Sequence, residues 1–390
     1  MLLEEQLLTR TSQVEAHDLR IEVINDLESF NSLAAEWDGL VDRSGVERLF
    51  VSHAWLLTWW ESFAGERELY IITIRKAHAL VAAVPMMRNH QRMYGFRVGS
   101  IESIYNPHTP RWDFIVADGL HNVVHQMVWN HLRSQTDCDM VAVRQVPDDS
   151  STIPGIEQLA RADGWLSGQW AAPPSPYIPL NCTYDDLFNR LKGGYRYNLR
   201  KRYERLSKVG PIDVEVITEK KAVREAMEDG LRIEAAAWKG TRGTAIVSDP
   251  AVTEFYIRLA ERQADLGQLR LTFLRVGGKR ISFNYVLSTQ RKVYGVKIGY
   301  DPEYHTYSPG NMHLNLILQD ACAEQLAEYD FLGVDDEWKL DWTKSTHGHR
   351  WLFLFRNRTR SRLVHFLKFK FAPEIKTRVQ WLCTSLRGRA

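Results

Sequence analysis

The chain has 390 residues, 44% of them hydrophobic, a formal net charge of +2 and a pI near 8.2. That length suggests two globular domains of about 150–200 residues each, and so mild a pI argues against an obligate nucleic-acid binder, whose domain value exceeds about 9. Cys138, Cys182, Cys322 and Cys383 stand far apart, which fits a reducing compartment and leaves no zinc spacing. No apolar run approaches the roughly 18 residues of a spanning helix, and Glu4 and Glu5 stand where a signal peptide is basic. A cytoplasmic location is expected.

In chain order, IEVIND (21–26) reads as a strand, followed by two amphipathic helices, ESFNSLAAEWDGLVD and SHAWLLTWWESF. The strands ELYIITIRK, HALVAAVPMMRN and the less regular RVGSIESIYNP come next, then a helix near Asn122–Arg133 and the strand DMVAVRQV. The second half repeats the plan. DVEVIT (213–218) is followed by helices at 221–238 and 250–264, the strands LRLTFLRV, RISFNYVLS and KVYGVKIGY, a helix at 311–325 and the strand YDFLGV. Both halves read β-α-α-β-β-β-α-β, an α/β class of mixed sheets. Gly277-Gly278 marks a hairpin turn. WAAPPSPYIPLNC, with four prolines, reads as a linker between the halves.

Residues 185–209 read as a helix interrupted at Gly193-Gly194. From Arg190 to Lys208 it carries eight Lys or Arg against one acid, Glu204. Tyr195, Leu199, Tyr203 and Leu206 form an apolar stripe expected to face the core, with the cations on the other side. Further on, YSPGNM (307–312) lies between a strand and an apolar helix. Ser308 suits an N-cap, Pro309 the first helical turn and Gly310 a close backbone approach, a geometry that holds phosphate.

The order of elements, with YRYNLRKRYERLSKVG, AAWKG at 236–240, GYDPEYHTYSPGNMHLNLILQDA (299–321) and YDFLGVDDEWKLDW (329–342), resembles the GNAT acyltransferase superfamily. The likeness is to its two-domain BioF2-like or CelD-like branch, found with exopolysaccharide and cellulose synthesis. It implies two tandem GNAT-like domains, a degenerate one at 18–170 and an acyltransferase domain at 175–355, followed by a basic tail at 356–390. It also implies acetyl-CoA or another acyl-CoA as co-substrate, its pyrophosphate held at Ser308, Pro309, Gly310, Asn311 and Met312, beside Val296 and Ile298 of a splayed strand whose backbone N–H groups stabilise the oxyanion.

Such a reaction needs a proton acceptor, for which Glu234 and Asp335 are the candidates. Trp238 borders the cleft in this family. Lys339, in the pair Trp338-Lys339, either holds an anionic substrate group or pairs with Asp335 or Asp336. Arg196 and Arg200 are placed to meet an anionic acceptor or the cofactor phosphates, with a solvated basic face as the plain alternative and nucleic acid third. The acceptor expected is a small molecule or a glycan-linked amine or hydroxyl. A related plan belongs to the ligases that use aminoacyl-tRNA to build peptidoglycan precursors, so a tRNA-dependent transferase is the alternative function, and a non-catalytic scaffold of a membrane polysaccharide synthase a third.

No metal is expected: His347 and His349 lie only two apart, and no GxSxG elbow supports a hydrolase. From Arg356 to Ala390 there are ten basic residues and one acid, net +9, which leaves −7 over residues 1–355. Leu363, Phe366, Leu367 and Lys370 fall on one helical face, so peripheral contact with the inner face of a membrane is an expectation for the tail.

Overall fold

The structure, a computed structural model, describes residues 18–236, 245–289 and 291–371. The chain divides into two compact units: one holds the described residues up to Leu56, Ala64–Ala172 and those from His349 on, and the other holds Leu57–Phe63 and Pro173–Gly348. Each is built on a mixed sheet, and the fold class is α/β as expected.

In the first unit, β1 (Leu19–Ile24), β2 (Glu68–Lys76), β3 (Ala79–Met93) and β4 (Phe96–Ser103) form an antiparallel run. The short β5 (Ile115–Val116) pairs with β3. Helix α1 (His121–Ser134) then leads to β6 (Met140–Pro147), parallel to β4. Valines 124 and 128 with Trp129 and Leu132, all buried, fix the inner face of α1 by their helical spacing. A further helix, Thr152–Ala162, precedes β7 (Leu166–Ala171). Trp112 is fully buried and donates its indole N–H to the Pro85 carbonyl at 2.9 Å.

In the second unit the proline-rich stretch is not a free linker. Ser175–Pro179 forms β8, whose Tyr177, Ile178 and Pro179 pair antiparallel with a strand more than 140 residues later. Two helices follow, Tyr184–Arg190 and α2 (Gly193–Ser207). The break falls at the extended Leu191, and the glycine pair opens α2. Its stripe is only partly inward: Leu199 and Leu206 are buried and Tyr195 packs edge-on against Trp342 at 5.5 Å, but Tyr203 is 46% exposed and Tyr197 62%.

β9 (Ile212–Ile217) leads into α3 (Lys220–Ala236) and α4 (Pro250–Asp265), the latter capped by Asp249 with Pro250 in the first turn. β10 (Leu269–Val276) and β11 (Lys279–Ser288) close on Gly277 and Gly278, both at positive φ, which suits glycine in a tight hairpin. β12 (Lys292–Tyr300), α5 (Pro309–Ala323), β13 (Glu328–Asp330) and β14 (Thr346–His347) complete the sheet, ordered β14-β8-β13-β12-β11-β10-β9. The chain then returns. β15 (His349–Phe355) inserts between β6 and β7 of the first sheet, although the sequence division carried the second half to residue 355. Helix α6 (Thr359–Phe366) follows on the first unit.

Candidate functional site

A cleft of about 500 Å³ in the second unit opens where β12 leaves its neighbour. β12 pairs with β13 only over Lys292–Tyr294, and from Gly295 onward runs on alone along that edge. On its other side the register with β11 slips: Tyr285 faces Lys297 and Val286 faces Gly295, so Val296 is the extra residue of a β-bulge. A bulge bends the strand and turns backbone groups out of the ladder.

Glycines decide what can approach the strand. A side chain at Gly295 would strike the Tyr329 hydroxyl, and a Cβ at Gly299 would lie 2.6 Å from the Glu234 Cα. That second gap lets α3 press on β12. Met227, Gly230 and Glu234 continue one buried face of α3, so the carboxylate arrives in the cleft at 1% exposure. Glu234 accepts the Ile246 N–H at 3.1 Å. Its charge, with burial as the larger cause, raises the pKa of the buried Tyr256 hydroxyl. Lys297 also lines the cleft, its Nζ 5.0 Å from the Tyr256 ring centroid, and burial holds its pKa below the ordinary lysine range. Asn284, 1% exposed, presents a side-chain N–H₂ that has no hydrogen-bond partner.

At the mouth stands the start of α5. Ser308 occupies the N-cap position, but with φ 49° it is left-handed and its side chain makes no cap. The expectation of a serine cap is thereby corrected: the first helical bond is Met312 N–H to Ser308 O, and no side chain satisfies the amides before it. Gly310 and Asn311 line the cleft, whereas Pro309 and Met312 are buried, Met312 in the core beneath the helix. At Gly310 a Cβ would meet nothing closer than Ile298 Cδ1 at 3.5 Å.

Glu234, Val296, Ile298, Ser308, Gly310, Asn311 and Lys339 therefore converge on one cavity. Lys339 is buried and committed to its own turn: Nζ donates to the Leu332 and Val334 carbonyls at 3.1 and 2.6 Å and meets Asp336 at 3.1 Å. Asp335 is exposed and off the cleft; Asp336 lines it instead. Arg196 bonds Asn189 and Arg200 lies over the Phe188 ring, and neither lines the cavity. Trp238 lies outside the described residues. Sequence reasoning missed Lys297 and Asn284. The signal was there for Lys297, a lone cation between two glycines in an apolar strand.

Residues 193–340 match the family model described as acetyltransferase (GNAT) domain. The second half of the chain carries a GNAT domain. No curated protein matches the chain. Among solved structures, FemX is 12% identical with a TM-score of 0.57, covering 88% of this chain and 99% of its own. L-PGS from Bacillus licheniformis is 11% identical with a TM-score of 0.50, covering 88% and 96%. A C-terminal domain (DUF2156) assigned to a lysylphosphatidylglycerol synthetase from Agrobacterium fabrum is 13% identical with a TM-score of 0.50, covering 87% and 97%. At such identities the likeness speaks for the fold, and it runs through both halves of the chain beyond the GNAT domain itself.

A second cluster lies beside the GNAT cleft. Glu328, Asp330 and His347 bring potential ligand atoms within 4.8 Å of one another. His347 Nε2 lies 2.9 Å from Glu328, whose carboxylate also meets Lys292 at 3.3 Å. Glu328 thus already has His347 and Lys292 as partners, and His347 Nε2 also lies 3.9 Å from Asp330.

Proposed function

We propose that the chain is a GNAT-type acyltransferase that moves an acetyl group from acetyl-CoA to an amine or hydroxyl of a sugar-linked or amino-acid-like acceptor, in the cytoplasm and in the setting of polysaccharide synthesis suggested by its BioF2-like or CelD-like sequence. The observation that supports this best is the meeting of three features in one cavity: the bulged, open edge of β12, the uncapped start of α5, and the buried Glu234.

The pyrophosphate of the donor sits against the amides of Gly310 and Asn311, where backbone N–H groups and the positive end of the helix dipole favour an anion. Its thioester then lies along β12 near Val296. The acceptor nitrogen or oxygen attacks the carbonyl carbon, the C–S bond breaks, and Glu234 takes the proton of the nucleophile while the thiolate leaves. Backbone N–H groups of the bulge stabilise the oxyanion. Asp335, solvated and off the cleft, is set aside as the base. The first unit, at 18–170 by the sequence division, takes no donor in this reading.

One observation favours the second reading, an aminoacyl-tRNA-dependent transferase. On α2 the exposed Tyr197 and Tyr203 alternate with exposed Arg200, Lys201, Arg205 and Lys208, a mixture suited to a nucleic-acid strand. Incubation with labelled acetyl-CoA or labelled aminoacyl-tRNA separates the two. Label transferred from acetyl-CoA, unchanged by Arg200→Glu with Lys201→Glu, supports the first; label transferred only from tRNA, and lost in that variant, overturns it.

A further inference from the structure

We infer that Thr359–Phe371, which opens with α6, is a docked, amphipathic surface that holds the protein on an anionic phospholipid bilayer. Its inner face is fixed to the first sheet. Ser361 and Val364 are buried, the Phe369 ring lies 5.4 Å from Trp170 and 5.8 Å from Phe353, and the space a Cβ would take at Gly168 is filled by that ring. The Lys368 ammonium sits 4.0 Å over Trp170 and 4.2 Å over Phe353, and the His365 ring bonds the Ser167 carbonyl at 3.0 Å.

That docking decides which residues face water. Leu363 is 44% exposed, Phe366 52% and Phe371 49%, three bulky apolar side chains exposed within one short segment. The exposed Arg362 directly precedes Leu363 and the exposed Lys370 directly precedes Phe371, with Arg358 before both; Arg360 is paired with Asp139. No acid occurs from Arg356 to Phe371, and the sequence beyond adds Lys376, Arg378, Arg387 and Arg389 against Glu374. The rest of the chain is net negative, so the positive charge is local. Exposed bulky apolar groups with exposed cations beside them in sequence match the acyl boundary and the anionic headgroups of a bilayer at once. A second copy of this chain would have to supply an apolar and acidic patch.

Deleting the segment is a poor test, because it strips the cover from Trp170 and Phe353. Outward substitutions leave that packing alone. The full chain is sedimented with phosphatidylcholine vesicles, with and without phosphatidylglycerol, beside Leu363→Ser with Phe366→Ser and Arg362→Glu with Lys370→Glu, each checked for an unchanged melting temperature. The inference expects binding to the anionic vesicles alone, weakened at least about tenfold in either variant and by added salt. Should a variant melt early, Arg362→Glu alone carries the test, with a loss of about fivefold expected. No binding by the wild type, equal binding to neutral vesicles, undiminished binding by the folded variants, or a dimer that the same substitutions dissociate without any vesicle binding, overturns it.

Discussion

The two sheets make the same parallel junction at opposite ends of the strand concerned. β4 meets β6 over Ser100–Glu102, at the end of β4, and a bond from Arg144 N–H to the Ser103 hydroxyl and the Glu102–Arg144 ion pair at 2.6 Å stitch the two strands further. β12 meets β13 over its first three residues and then runs six more to Tyr300 without it. β3 and β4 pair in steady register; β11 and β12 do not. On β4 the residues without a β6 partner come before the junction, where Asp139 N–H bonds the Gly99 carbonyl at 2.8 Å, whereas on β12 they come after it, beyond a bulge, and line the cleft. The placement of one short junction thus distinguishes the two sheets.

Breaking the catalytic side of that cleft gives the largest effect expected. Glu234→Gln should lower kcat by about 10²–10⁴-fold with donor affinity unchanged, while Asp335→Asn, on an exposed residue away from the cleft, leaves both parameters as they are; steady-state kinetics with the acceptor in excess compares them. Next is the packing that puts Glu234 there. Gly299→Ala forces a Cβ against the Glu234 backbone and should cost about 1–3 kcal/mol as well as activity, whereas Gly310→Ala, whose Cβ would make only ordinary contacts with Ile298 and Tyr300, should stay within about 0.5 kcal/mol; urea unfolding of the two reads the difference.

The smallest effect lies on the first sheet. Burial, then the charge of Arg144, brings the Lys368 pKa down to about 8. Between that value and the ordinary lysine range the unfolded chain binds more protons, so stability rises with pH there. Lys368→Met should flatten that part of the slope in melts taken across this interval, and an unaltered slope would show the lysine to be no part of it.

Much of this was legible in the residues. Two repeats of the same element order gave both sheets, because strand and helix periods are local, and YSPGNM marked a helix start that lines the cleft even though Ser308 does not cap. What escaped was set by partners distant in sequence. The prolines of Ser175–Pro179 disguise a strand that its partners β13 and β14 reveal, and HRWLFLF is apolar enough for a strand but says nothing of which sheet takes it. Tyr203 follows helical spacing with Leu199 and Leu206 yet stays exposed between these two buried leucines. Asn284 looks like any polar residue in a strand until its orphaned amide is seen.

The central claim is that one donor site exists per chain, at the start of α5. Titration calorimetry with acetyl-CoA tests it most directly, on the wild type and on Gly310→Glu, with circular dichroism to verify folding. A side chain with negative charge at that position blocks the backbone approach and repels the phosphates. The account predicts one molecule bound per chain and no measurable binding to the folded variant; two molecules per chain, or equal affinity in both proteins, would contradict it.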